Sequence, residues 1–212
     1  LTDVTGVQTC ALPISIYQAL FGTNAQPFCF AGHSLGECTA LVASGALSFQ
    51  KGLDLVNCRA QAMSQCQGGM IAVVGLGVPK MQALLAALSI GDLWIANINT
   101  DKQIVLSGSS RALEQIEKAL KNVHEARLVK RLDVQIPSHS PLMKPAAVEL
   151  GKALEESPIV CPRVPILCST TITLCQEPDA LRNNLYKQLT SPLDWAGCIN
   201  MLARQGIKRL IE

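Results

Sequence analysis

The motif Gly32-His33-Ser34-Leu35-Gly36 follows an apolar run and constrains the fold more than any other part of this sequence. The apolar residues 27–31 predict a buried strand, and the Ala- and Leu-rich residues 35–46 predict a helix. A sharp turn between the two leaves its central residue exposed in a strained conformation, and glycines two positions to either side relieve the crowding. The sequence therefore predicts a nucleophile elbow with Ser34 at its tip.

The start of the predicted helix also bears on the chemistry. The backbone N–H of Leu35 and the positive end of the helix dipole would stabilise an oxyanion next to Ser34. Glu37 follows in the first helical turn, where an acidic residue caps the helix or favours its dipole. We therefore predict a structural role for Glu37 and an oxyanion-binding role for the Leu35 amide.

Composition excludes several classes of function. The chain has 212 residues, of which 49% are hydrophobic and 16% charged, so it can bury a full core. A net charge of +2 with scattered basic residues and 4% aromatics provides no surface for nucleic acid. No apolar run approaches the roughly 18 residues of a membrane span, and a signal peptide is not evident. We expect a cytoplasmic protein that binds neither nucleic acid nor membrane.

The nine cysteines show no metal-binding or disulfide pattern. They are Cys10, Cys29, Cys38, Cys58, Cys66, Cys161, Cys168, Cys175 and Cys198. Their number is odd, and none of them form a C-x-x-C pair of the kind found in zinc and redox sites. The sequence predicts reduced structural thiols and no metal.

The order of predicted elements divides the chain into two units. Residues 70–134 read as β-α-β-β-α-β, the ferredoxin-like arrangement. Residues 1–69 and 135–212 alternate between strands and helices, which predicts a large α/β core built on a parallel sheet with helices on both faces and a closing strand at 207–211. Residues 1–14 lack any clear period, and we expect them to be non-native or disordered.

A serine nucleophile needs a base, and the chain has three histidines. His33 is the neighbour of Ser34, and adjacent side chains in an elbow point apart. His124 lies in a charged connection typical of a solvated surface. His139 lies in a short loop framed by two prolines, which suits a fixed imidazole. We predict His139 as the base, the alternative being a turn histidine with no partner.

Arg59 interrupts an apolar helical face formed by Leu55, Val56 and Met63, on a helix that Ser48 is predicted to cap. A guanidinium turned inward is costly unless an anion meets it. One interpretation is an internal salt bridge or a side chain whose charged end reaches solvent. The other is a bidentate clamp for a substrate carboxylate, which guanidinium geometry suits.

Taken together, these motifs resemble the malonyl-CoA:acyl-carrier-protein transacylase family, the acyltransferases of fatty-acid and polyketide synthesis. The matching segments are Gly32-His33-Ser34-Leu35-Gly36-Glu37, residues 55–63, 97–99 and 103–108, Pro137-Ser138-His139-Ser140-Pro141-Leu142-Met143, and residues 188–195. The resemblance implies Ser34 as the acylated nucleophile and His139 as its base. It implies the Leu35 amide as an oxyanion donor and Arg59 as the clamp on the malonyl carboxylate.

The implied reaction is a ping-pong transfer. Ser34 would take malonyl from malonyl-CoA, and the phosphopantetheine thiol of an acyl carrier protein would then receive it. The CoA thioester is a substrate here, so no separate cofactor is expected. We expect the protein to act as a monomer.

Two loops typical of the family have no match. These are an early Gly-Gln-Gly loop, whose glutamine completes the oxyanion hole, and a Gly-Pro-Gly-like loop beyond the last strand. The chain therefore resembles a fragment lacking both ends. We expect it to transfer malonyl weakly or not at all by itself.

Three other functions stay open at this point. The malonyltransferase subunit of malonate decarboxylase would use the same residues. A serine esterase would need an acidic residue between Ser34 and His139 to orient the base. The candidates in that interval are Asp54, Asp92, Asp101 and Asp133. A non-catalytic module that docks a carrier protein is the third.

Overall fold

The computed structural model describes residues 13–17, 19 and 27–211. Residues 13–17 and 19 are helical, and residues 27–211 contain eight strands, seven α-helices and one 3-10 turn. In chain order these elements are β1 (Phe30–Ala31), α1 (Gly36–Ala43), α2 (Phe49–Ser64), β2 (Gly69–Val74), α3 (Val78–Leu88), β3 (Leu93–Thr100), β4 (Gln103–Gly108), α4 (Ser110–Leu120), β5 (Leu128–Arg131), the 3-10 turn Pro141–Met143, α5 (Lys144–Glu156), β6 (Ile166–Cys168), β7 (Thr173–Cys175), α6 (Pro178–Gln188), β8 (Leu193–Asp194) and α7 (Trp195–Arg204). The chain thus folds as a mixture of helices and sheets, as the sequence predicted.

A three-stranded sheet holds the segment that leads into Ser34. Strand β1 pairs with β6 in parallel, and β7 pairs with β6 antiparallel. The prediction of a parallel sheet is therefore right for β1 and β6 and wrong for β7. Only four residues separate β6 from β7, and Ile172 adopts a positive φ of 54° within that turn, so the chain must reverse.

Residues 69–131 show the predicted element order of β2, α3, β3, β4, α4 and β5. Their sheet has the order β5-β2-β4-β3, and every neighbouring pair is antiparallel. The short strand β8 extends this sheet in parallel beside Asn97 and Ile98 of β3. The sequence did not indicate β8, because two paired residues are too few to show an alternating pattern.

Two hydrophobic clusters correspond to the two groups of elements. One packs α1, α2, α5 and α6 around buried leucines, and the other packs α3 and α4 against the sheet of β2 and β4. Helix α2 begins as predicted, since the Ser48 hydroxyl accepts a hydrogen bond from the Lys51 amide at 3.3 Å. This cap and the apolar stripe of α2 fix the helix that carries Arg59.

The ends of the chain differ from two expectations. Residues 207–211 form no strand, because none of the described strands lies beside them, and Leu210 and Ile211 are exposed. Of the segment 1–14, residues 1–12 lie outside the described part, whereas Ile14 is helical and buried. No helix among the described residues is both long enough and apolar enough to cross a membrane.

Candidate active site

Ser34 lies in a tight turn between β1 and α1 with a positive φ of 54°, a strained conformation for a residue other than glycine. A Cβ at Gly32 would lie 2.0 Å from the carbonyl carbon of Gly36 and 2.3 Å from the Glu37 nitrogen, so only glycine fits there. A Cβ at Gly36 would meet nothing within 4 Å. The expectation that both glycines relieve crowding is therefore right for Gly32 and wrong for Gly36.

His139 meets Ser34 across 105 positions of sequence, with His139 Nε2 2.9 Å from Ser34 Oγ. The imidazole is buried, and the backbone of His139 has a positive φ of 59°. The Ser140 hydroxyl holds the loop by donating to the Pro137 carbonyl at 2.6 Å. Both partners of this contact are thus held in strained backbone conformations by the surrounding structure.

The hydrogen bonds of His139 fix which ring nitrogen carries the proton. Nδ1 lies 2.7 Å from the carbonyl oxygen of Gln188, which can only accept, so Nδ1 carries the proton and Nε2 is free to accept one. Burial lowers the pKa of His139 to about 3, and the positive charges of Arg59 and His33 act in the same direction against the Gln188 bond. The imidazole is therefore neutral near pH 7 and faces the Ser34 hydroxyl with a lone pair.

Arg59 points inward, as predicted, and is 7% exposed. Its Nη2 donates to Ser34 Oγ at 3.1 Å and to Gln188 Oε1 at 3.4 Å. No carboxylate among the described residues forms a salt bridge with it, and its buried Nε has no hydrogen-bond partner there. Arg59 therefore brings a buried positive charge and an unused donor next to the serine, which is what an anionic ligand requires.

Sequence reasoning assigned no role to Gln188, although the structure connects it to all three of these residues. It is fully buried at the end of α6. Its carbonyl accepts from His139, its Nε2 donates to the Ser34 carbonyl at 3.2 Å, and its Oε1 accepts from Arg59. A signal was present, because Gln188 falls on the same helical face as the buried Leu181 and Leu185.

Comparison with known proteins identifies the family. The sequence profile of the acyl transferase domain matches residues 2–209. The chain belongs to the acyl transferase domain family. It is 34% identical over 192 residues to the malonyl CoA-acyl carrier protein transacylase of Haemophilus influenzae, covering 88% of this chain and 61% of that protein.

Solved structures agree with this acyl transferase assignment. The malonyl CoA-acyl carrier protein transacylase of Coxiella burnetii superposes with a TM-score of 0.90 at 34% identity, covering 98% of this chain and 67% of the other. A type II polyketide malonyl-transacylase in complex with its acyl-carrier protein superposes with a TM-score of 0.88 at 29% identity, covering 97% and 68%. The chain spans about three fifths of the length of the curated relatives it matches.

The other predicted residues of this acyl transferase domain lie where the sequence indicated, with one exception. His33 turns away from Ser34, since its Nε2 contacts Asn99 Oδ1 at 3.2 Å and its ring meets Trp195 edge-on. His124 is exposed. The amide of Leu35 takes part in no backbone hydrogen bond among the described residues. The four aspartates that are the candidates for a serine esterase are all exposed.

Glu37 is the exception. Its carboxylate is buried and faces Ser169 and Asn184 instead of the amides of its own helix. The prediction that it caps α1 was wrong, because its donors come from Ser169 after β6 and from Asn184 in α6, of which the sequence contains no sign. Its place in the first turn of α1 still suits the helix dipole, as the alternative prediction had it.

Neither metal nor disulfide chemistry is indicated in the described residues. They contain no group of three or more His, Cys, Asp or Glu side chains placed to hold a metal ion. The eight described cysteines form no disulfide with one another, and Cys10 lies outside the described part.

Proposed function

We propose that this acyl transferase domain moves malonyl from malonyl-CoA to the phosphopantetheine thiol of an acyl carrier protein through a malonyl ester on Ser34. One observation carries the proposal. Ser34 Oγ lies 2.9 Å from the proton-free Nε2 of His139 and 3.1 Å from Nη2 of Arg59. A base and a cation for the substrate carboxylate thus meet at one nucleophile.

In the first half-reaction, Ser34 Oγ attacks the thioester carbonyl and its proton passes to His139 Nε2. The carbonyl oxygen becomes an oxyanion, to which the Leu35 amide donates at the start of α1. The C–S bond then breaks, and the departing CoA sulfur takes the proton from His139. Malonyl remains as an ester on Ser34, and the imidazole is neutral again.

Arg59 supplies the selectivity in this proposal. Malonyl ends in a carboxylate, whereas acetyl ends in a methyl group. A buried guanidinium with no carboxylate partner of its own gains a charge-assisted pair from malonyl and nothing from acetyl. The unpartnered Arg59 Nε is one donor available for that pair.

The second half-reaction reverses the first with a different thiol. The phosphopantetheine sulfur loses its proton to His139, attacks the ester carbonyl, and releases Ser34 with that proton. The named relatives support this acceptor, since they are malonyl CoA-acyl carrier protein transacylases and one solved neighbour holds its acyl-carrier protein. We propose a monomer that uses the CoA thioester as substrate and needs no separate cofactor.

We also propose that the turn at Ser34 is a nucleophile elbow and that residues 70–134 form a ferredoxin-like subdomain inserted into a core of residues 1–69 and 135–212. The positive φ of Ser34 and the steric need for Gly32 support the elbow. The antiparallel order β5-β2-β4-β3 and a hydrophobic cluster of its own support the subdomain.

The alternative functions fit less well. An esterase orients its histidine with a carboxylate, whereas here a backbone carbonyl meets His139 Nδ1. The names of the relatives favour an acyl carrier protein over the carrier subunit of malonate decarboxylase.

Mass spectrometry of the intact protein tests the proposal. Incubation with malonyl-CoA should produce a malonyl adduct that peptide mapping assigns to Ser34, and Ser34→Ala should abolish it. Addition of a phosphopantetheinylated acyl carrier protein should then remove the adduct. Equal adduct formation from acetyl-CoA would refute the role of Arg59. Release of free malonate as fast without the carrier protein as with it would indicate a hydrolase.

A further inference from the structure

Glu37 has a buried carboxylate that the proposed reaction does not use. It is 2% exposed. Burial raises the pKa of this carboxyl, and the donor groups of Ser169, Asn184 and Gln188 lower it. Its Oε1 accepts from the Ser169 amide at 2.9 Å and from the Ser169 hydroxyl at 2.5 Å, and its Oε2 accepts from Asn184 Nδ2 at 2.5 Å. These hydrogen bonds connect three elements, because Glu37 belongs to α1, Ser169 follows β6 and Asn184 lies in α6. We call this cluster of Glu37, Ser169 and Asn184 the joint.

The amide of Asn184 is oriented from its other side. The hydroxyl of Thr170 donates to Asn184 Oδ1, which leaves Nδ2 facing Glu37. Donors and acceptors therefore alternate along the chain of contacts from Thr170 through Asn184 to Glu37. Any single change of donor to acceptor in this chain leaves two like groups facing each other in a buried place.

Helix α6 connects this joint to the base. Asn184 and Gln188 are four residues apart, so they lie one turn apart on the same face of α6. Gln188 in turn accepts the Nδ1 proton of His139 and donates to the Ser34 carbonyl. The position of α6 relative to α1 therefore decides whether His139 Nε2 is aimed at Ser34 Oγ.

Charge supports the same connection. Among the described residues, Glu37 and Arg59 are the two buried side chains of the Asp, Glu, Lys and Arg types. They are not in direct contact. Burial lowers the pKa of Arg59 and raises the pKa of Glu37, and the Glu37 charge acts against the first of these shifts by favouring the cationic form of Arg59. Glu37 thus favours the charged guanidinium without contacting it, and Arg59 Nε has no hydrogen-bond partner among the described residues.

We propose that Glu37 is a positioning residue for the acyl transfer. Through Asn184 it sets the register between the elbow helix α1 and α6, and through Gln188 it holds His139 in the tautomer and orientation that accept the Ser34 proton. The catalytic consequence rests on the proposed function, whereas the effect on the tautomer does not.

A donor–acceptor swap tests this inference. Glu37→Gln places a new amide nitrogen against Asn184 Nδ2 or the Ser169 amide, both of which are donors. Asn184→Asp places a second carboxylate against Glu37. The double variant Glu37→Gln/Asn184→Asp restores the pairings from Thr170 through position 184 to position 37, because the new amide at 37 donates to the new carboxylate at 184, which still accepts from Thr170.

The first readout is the ring-nitrogen NMR spectrum, which is simple because the chain has three histidines. In the unsubstituted protein, His139 should show a single neutral form with the proton on Nδ1. Each single variant should lose that pattern, and the double variant should regain it. This readout needs no substrate, so it stands even if no malonyl adduct forms.

The second readout is the reactivity of Ser34. A fluorophosphonate reports on it without malonyl, since the Oγ–P bond forms, fluoride leaves and the proton goes to His139. Each single variant should slow this labelling by about 10- to 100-fold, because displacement of a base by about 1 Å has effects of that size. The maximal rate of acylation by malonyl-CoA should fall by the same factor, with little change in KM. The double variant should recover most of the loss.

Ser109→Ala is the matched control. It removes the cap of α4, where Ser109 accepts from the Ala112 amide, and so weakens the fold far from Glu37. It should leave the His139 pattern and the Ser34 rates unchanged. Folded single variants with an unchanged pattern and unchanged rates would overturn the inference, as would a double variant no better than the worse single one. If a single variant does not fold, the double variant decides, because the proposal requires it to fold and to show the Nδ1–H pattern.

Discussion

Replacing Gly32 by alanine adds one methyl group at the point where the turn before Ser34 folds back on α1. The new carbon would lie 2.0 Å from the carbonyl carbon of Gly36, 2.1 Å from its oxygen and 2.3 Å from the Glu37 nitrogen. Carbon atoms in contact are normally about 3.5–4.0 Å apart, so the overlap is about 1.5 Å. All three obstacles are backbone atoms, which cannot rotate away.

The cost follows from that rigidity. Inserting a methyl group into a packed site costs about 1–3 kcal/mol, and the upper end applies where backbone has to move. For a chain of this size, about 3 kcal/mol lowers the melting temperature by roughly 6–12 °C. The backbone displacement at Gly36 would also strain the hydrogen bonds of Glu37, three of which hold α1 in place. We therefore expect Gly32→Ala to lose Ser34 acylation as well as stability.

Gly36→Ala is the matched control, since it makes the same chemical change in the same motif with nothing within 4 Å. Alanine is favoured over glycine in a helix by about 0.5–1 kcal/mol, so this variant should be as stable as the unsubstituted protein or slightly more so. Thermal unfolding, followed by circular dichroism, measures both variants. Equal losses for the two, or an undiminished melting temperature for Gly32→Ala, would refute the steric argument.

Of four further predictions, two concern the base His139, one the cation Arg59 and one a helix cap. Because the pKa of His139 is lowered to about 3, the rate of Ser34 acylation should show no inflection near pH 6.5 when it is measured from about pH 5 to 8. An inflection near pH 6.5 in the pH–rate profile would contradict this prediction. The same lowered pKa makes the free energy of unfolding decrease as pH falls from about 6.5 towards about 3, because in this range only the unfolded chain protonates His139. Urea denaturation at several pH values measures the direction of this change. Arg59→Gln should lower malonylation by about 10- to 100-fold, the equivalent of one charge-assisted hydrogen bond of about 1.5–3 kcal/mol, and reduce the ratio of malonyl to acetyl adducts in mass spectrometry; an unchanged ratio would exclude the clamp. Ser48→Ala should lower the free energy of unfolding by about 1 kcal/mol, because the hydroxyl no longer accepts from the Lys51 amide. The melting temperature should be about 2–4 °C lower. An equal melting temperature would mean that water caps the helix as well as Ser48 does.

The elements that the sequence predicted well are those whose cause lies within a few residues. The cap of α2 at Ser48 and the inward face of Arg59 depend on contacts along one helix, which periodicity reveals. The strand expected at 207–211 failed for the opposite reason. An apolar segment becomes a strand only where another strand can pair with it, and pairing is a property of the assembled sheet.

The active-site prediction divides in the same way. Elimination among three histidines indicated His139, yet nothing in the sequence showed what would orient its ring. The four aspartates suggested by an esterase are exposed, and the acceptor is instead the backbone carbonyl of Gln188. A backbone carbonyl is present at every residue, so no residue type could have indicated which one serves.

The sequence alone determined the turn at Ser34, because the close approach that demands glycine at position 32 lies within five residues of it. It also determined the helix that carries Arg59, through capping and periodicity. The tertiary structure decided the meeting of Ser34 with His139 across 105 positions, of Arg59 with Gln188 across 129, and of Glu37 with Asn184 across 147. Such contacts are set by how separate helices and strands pack against one another, and that packing is not encoded in any local pattern of residues.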